Sequence, residues 1–143
     1  MGQAPQRQNP LLKGDKLLKA YLLLIAAGLI PIALSYGTDP AATLPRFLDI
    51  RVEGADQKQI FRALMSLYLG ASAFWAMAAF IPSLRRAAAF WGVIFMFSLA
   101  FGRLLSLIVD GPASRLLDIY LAAEILGGVL GVAALHRARK AAA

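Results

Sequence analysis

A chain of 143 residues with 59% apolar and 16% charged residues, at a mean hydropathy of +0.65, is too apolar for a soluble domain and takes lipid as its solvent. It carries a formal charge of +7, no cysteine and one histidine, which excludes disulfides, thiolate nucleophiles and Cys-ligated metal or iron–sulfur centres and argues against His-rich metal sites. Apolar residues extend over nearly the whole length, so one membrane domain over residues 1–143 is expected, without a separate soluble catalytic domain.

The expected fold class is all-α: an integral membrane four-helix bundle with the N and C termini cytoplasmic. A hydrocarbon core of about 30 Å needs roughly 20 apolar residues per helix, because lipid offers backbone groups no partners outside the helix. Four stretches reach that length, at about 17–36, 60–81, 87–109 and 116–135. The first follows Lys13, Lys16 and Lys19 and runs into Ala33-Leu34-Ser35, which also reads as a cleavable signal peptide. Its length and Pro31 favour a retained helix.

The long connection, residues 37–59, is expected on the outer side and suits recognition. Within it Leu48-Asp49-Ile50-Arg51-Val52-Glu53 alternates apolar and charged with period two, a strand signature ending at Gly54. As a lone strand it would lie over the bundle, join a partner's sheet, or form an extended loop with its apolar side on the headgroups. Pro82-Ser83-Leu84-Arg85-Arg86 and Asp110-Gly111-Pro112-Ala113-Ser114 read as tight turns, which makes the later helices antiparallel neighbours.

Orientation follows from the basic residues. Arg7, Lys13, Lys16, Lys19, Arg85, Arg86, Arg137, Arg139 and Lys140 fall on one side with Asp15 as the sole acid, whereas the other six cations stand with seven acids. That bias places the first side in the cytoplasm and explains the basic charge without a nucleic-acid partner. The expected location is the bacterial inner membrane, multi-pass. His136 opens the basic tail as an interfacial side chain, and residues 1–10 and 138–143 read as flexible ends.

Charged residues inside spans cost on the order of 3 kcal/mol each and are the first place to look for function. Arg103 lies seven residues before Asp110, about 10 Å beneath the outer surface, and Glu124 lies nine residues after Arg115, about 13 Å beneath it. Equal depth on antiparallel neighbours predicts a charge-assisted pair. Ser106 and Asp110 share the face of Arg103, and Arg62, Ser66 and Tyr68 descend along the second span. The candidate binding residues are therefore Arg62, Tyr68, Arg103, Ser106, Asp110 and Glu124, lining a polar cup open to the outside. The alternative is a lock between two helices, with Arg62 and Asp118 snorkelling to the interface.

Gly127 and Gly131 form a GxxxG spacing that permits close backbone approach, either inside the bundle or in a dimer. Trp75, Trp91, Phe80 and Phe90 are expected toward helix ends or lipid, as interfacial aromatics are.

The segments Phe61-Arg62-Ala63-Leu64-Met65-Ser66-Leu67-Tyr68-Leu69-Gly70 and Gly102-Arg103-Leu104-Leu105-Ser106-Leu107, the turn Asp110-Gly111-Pro112 and the late Glu124 together resemble the bacterial membrane-protein family known as domain of unknown function 4345. The resemblance covers about Ile60 to Leu135, while the first helix matches in character only. It implies four helices and the positions of the polar residues, and it transfers no reaction. Ser66 stands where the family tends to have Gly.

No phosphate loop, metal-ligand cluster or nucleophile–base arrangement is present, and one interfacial histidine gives no axial pair for haem. The chain is expected to be no enzyme and to use no cofactor. The first functional expectation is an accessory or scaffold subunit, its partners being the lipid bilayer and a larger membrane protein complex met through lipid-facing helices or the 37–59 loop. The alternative is binding or passage of a small polar ligand or lipid headgroup in the outer cup. A third reading makes Glu124 a buried acid or base, although Arg103 beside it favours a lasting carboxylate.

Overall fold

In a computed structural model that describes residues 10–142, the chain forms α1 (Pro10–Gly37), α2 (Pro40–Leu48), α3 (Ala55–Ala78), α4 (Pro82–Val109) and α5 (Arg115–Ala142). Arg7 and the N-terminal tail expected to be flexible lie outside the described residues. The four long helices are each apolar and long enough to cross a membrane.

The helix ends correct the expected ones. Pro82 opens α4, where its missing N–H is an orphan in any case, so the α3–α4 turn is Ala79-Phe80-Ile81 and both Arg85 and Arg86 are helical. At the other end of the chain α5 continues to Ala142, because Ala, Arg and Lys are strong helix formers, so residues 138–142 are helix rather than a flexible end, and Ala143 lies outside the described residues.

α1 is the packing centre. It lies against α3, α4 and α5, whereas the backbones of α3 and α5 do not approach closely. Leu22 and Ala33 are fully buried, with Ile25 and Leu29 nearly so. Gly131 of α5 sits where a Cβ would meet Tyr21 and Val93, and Gly127 does the same against Met96. The GxxxG stripe thus faces the inside of this bundle.

α3 and α4 approach through bulky side chains rather than close backbones. Trp75 is completely buried, its ring 5.1 Å from Phe95 and 5.2 Å from Trp91. This corrects its expected interfacial place: with Trp91 and Phe95 its ring forms the packing between α3 and α4. Phe80 and Phe90, in contrast, are exposed.

The basic segments gather at one end. Asp15 is ion-paired with Arg85, whose Nε also donates to the Ala79 carbonyl at 2.9 Å. Lys19 stands 4.3 Å over the Phe80 ring, and Gly14 abuts Ala138 of α5.

At the opposite end the expected strand is absent among the described residues. Instead Asp39 caps α2, accepting from the Ala42 N–H at 3.4 Å, with Pro40 in the first turn. Leu44 and Leu48 bury against the bundle, and Asp49 ends the helix in left-handed geometry at φ 55°. Val52 is also buried and Ile50 half-buried. The alternating pattern thus marks a segment with one face on the bundle rather than a paired strand.

Candidate functional site

The expected ion pair is formed. Arg103, midway along the final turns of α4, donates from Nε to both carboxylate oxygens of Glu124 on α5, at 2.8 and 2.9 Å. Both bonds use Nε, so the two terminal guanidinium nitrogens stand outside the pair. The Glu124 side chain is 7% exposed and that of Arg103 19% exposed. Such a pair forms because antiparallel helices joined by the short Asp110–Ser114 turn bring equal depths together; Gly111, at φ 93°, makes that turn possible.

Aromatic rings surround the pair. Tyr120, one turn before Glu124, places its ring 5.4 Å from the Arg103 guanidinium carbon, a cation–π contact strengthened by desolvation. Tyr36 of α1 joins the same cluster through its ring contacts with Tyr68 and Phe61. Tyr68 of α3 is buried, edge-on to Tyr36 at 6.0 Å and to Phe95 at 5.8 Å, and lines the same cavity as Glu124. Phe61 stacks on Tyr36 at 6.2 Å. All four spans therefore contribute to one polar–aromatic centre.

Two cavities meet at this centre. One, of about 240 Å³, is walled by Ile25, Leu29, Ile32, Met96 and Leu99 and reaches Glu124, Tyr68 and Tyr120. The other, of about 200 Å³, lies between the ends of α4 and α5 and presents Arg103, Ser106 and Asp118 among Gly102, Leu117 and Leu121. The ion pair stands between an apolar chamber on its carboxylate side and a polar opening on its guanidinium side.

Of the six sequence-derived site residues, Tyr68, Arg103 and Glu124 converge. Ser106 lines the polar opening, its hydroxyl donating to Asp110 at 2.7 Å, so Asp110 serves as an exposed helix-end partner one turn away. Arg62 does not join them: it is exposed, it lines neither cavity, and its carbonyl accepts the Ser66 hydroxyl at 2.9 Å. Tyr36, Phe61, Phe95, Tyr120 and Asp118 were not singled out as site residues. Tyr120 was legible from its i, i+4 relation to Glu124, and Asp118 from its place one turn into α5. The approach of Tyr36 depends on tertiary packing.

Among the described residues no group of three His, Asp or Glu side chains is placed to hold a metal ion. A family model described as a domain of unknown function (DUF4345) matches residues 17–135, and so takes in α1 as well as the region from Ile60 that carries the quoted motifs. No curated protein and no solved structure matches the chain.

Proposed function

The chain belongs to the DUF4345 family, and from that premise we propose that it is a non-catalytic four-span protein of the bacterial inner membrane that binds a small polar ligand or lipid headgroup in an outer-leaflet pocket. The observation that carries this reading is the placement of the Arg103–Glu124 pair between two cavities, with the terminal nitrogens of Arg103 outside the pair. A packing lock needs no such openings. An anion entering the opening meets a guanidinium whose position Glu124 fixes and whose face Tyr120 covers. Any attached hydrocarbon has the apolar chamber beside it.

The test uses the protein in phosphatidylcholine nanodiscs, with dodecyl phosphate, dodecyltrimethylammonium and dodecanol as probes of one chain length. Dodecyl phosphate is expected to raise the melting temperature of the wild type and to leave Arg103→Gln unmoved. Equal responses to all three probes would reject an anion site. Positive-inside bias supports cytoplasmic termini, and reporter fusions at the two ends check that orientation; an active periplasmic reporter at either end contradicts it.

A second reading, an accessory subunit of a larger membrane complex, is favoured by Phe47. It is 48% exposed on α2, outside the spans, with Arg46 against its ring at 5.7 Å. Exposed aromatic–Arg pairs are common anchors of protein interfaces. A detergent pull-down from native membranes that returned this chain alone would count against that reading.

A further inference from the structure

We propose that the groove between α4 and α5 at the basic end of the bundle is a binding site for one anionic phospholipid, held by its headgroup phosphate and the upper part of an acyl chain. This site is separate from the Arg103–Glu124 centre, which lies toward the other end of the same two helices.

The groove has a volume of about 520 Å³, within the roughly 300–1,000 Å³ of ligand sites. On α4 it is lined by Arg86, Phe90 and Val93, and on α5 by Val132, Leu135, His136 and Arg139. These are helical spacings of four and seven on one helix and three, four and seven on the other, so each set occupies one face. Because the helices run antiparallel, Arg86 stands opposite Arg139 and His136 at the mouth, and Val93 opposite Val132 at the deep end. From Arg86 to Val93 the groove descends about 10 Å. Its polarity thus changes along its length as a phospholipid's does.

Charge selects the ligand. Arg86, His136 and Arg139 are exposed, and among the described residues neither arginine is in an ion pair. Neighbouring Arg85 is different: Asp15 neutralises it inside the bundle. Two guanidinium forks on facing helices suit phosphate oxygens, and a basic pocket between spanning helices favours an anionic headgroup over a zwitterionic one. The apolar walls directly below, including Phe90 at 60% exposure, select a phosphate that carries a chain over a free one.

The experiment is native mass spectrometry of the full chain in a non-ionic detergent, with phosphatidylglycerol and phosphatidylcholine of identical chains. Phosphatidylglycerol is expected to be retained preferentially, with Arg86→Gln and Arg139→Gln each weakening retention about fivefold. Arg137→Gln is the matched control, because Arg137 lies at the same end but lines the neighbouring α1–α5 groove; it is expected to leave retention unchanged. The proposal is overturned if Arg137→Gln weakens retention as much, if phosphatidylcholine is held equally, or if millimolar inorganic phosphate displaces the lipid. Should either variant melt below the wild type, a photoactivatable phosphatidylglycerol on the wild type decides: labels within 86–93 and 132–139 support the site, and labels elsewhere reject it.

Discussion

Arg103 and Glu124 are 21 residues apart in sequence, yet one Nε–H of the arginine is shared by both oxygens of the glutamate in the interior of the bundle. Removing one partner strands the other in a medium that cannot solvate it, whereas removing both leaves hydrocarbon against hydrocarbon. Glu124→Ala is expected to cost about 3–5 kcal/mol of stability, and Arg103→Leu with Glu124→Leu to recover most of that. Unfolding in mixed micelles measures both. A double variant as damaged as the single one would mean that the pair itself, rather than its isolated charge, holds the helices.

At the basic end the Asp15–Arg85 pair is unequal in a different way. The Asp15 side chain is 44% exposed and that of Arg85 only 10%, and Arg85 also satisfies the Ala79 carbonyl at the end of α3. Asp15→Asn, whose amide oxygen still accepts from Arg85, is therefore expected to cost less than Arg85→Ala, which also opens a gap and frees a buried carbonyl. Thermal unfolding in detergent gives the order. Equal losses would place the whole effect in the ion pair.

The glycines offer a cleaner contrast. A Cβ on Gly131 would lie 2.5 Å from both the Tyr21 hydroxyl and a Val93 methyl, whereas one on Gly70 would meet nothing within 4 Å. Gly131→Ala is expected to destabilise by about 1–3 kcal/mol through overpacking of α1, α4 and α5. Gly70→Ala is expected to stabilise by up to about 1 kcal/mol through helix propensity. If both changes behaved alike, propensity rather than packing would govern this bundle.

These contrasts also mark what was legible in the sequence. Long apolar runs and the Asp110–Ser114 turn locate the spans and bring Arg103 level with Glu124, because depth along antiparallel helices is arithmetic. Rotation about each helix is not. Arg62 lies nearer the helix end than Tyr68 and is exposed, and Trp75 resembles an interfacial aromatic until Trp91 and Phe95 are seen to pack against it. α2 was hidden for a third reason: Pro40 and Pro45 look like helix breakers, yet the first occupies the opening turn and the helix is only nine residues long. The period-two run after it was real, but its partner was the bundle end instead of another strand.

α2 gives the last test, because its attachment rests on few side chains. Leu44 is fully buried and is the main anchor of a nine-residue helix that touches α1, α3 and α5. A helix that short has little stability of its own. Leu44→Ala is expected to remove about 2–5 kcal/mol of local packing without reaching the four spans. Trypsin cleavage after Arg46 or Arg51 should then accelerate strongly while the melting temperature of the spanning helices changes little. If cleavage and melting shifted together, α2 would be part of one cooperative unit with the bundle, and that end would open only when the whole protein unfolds.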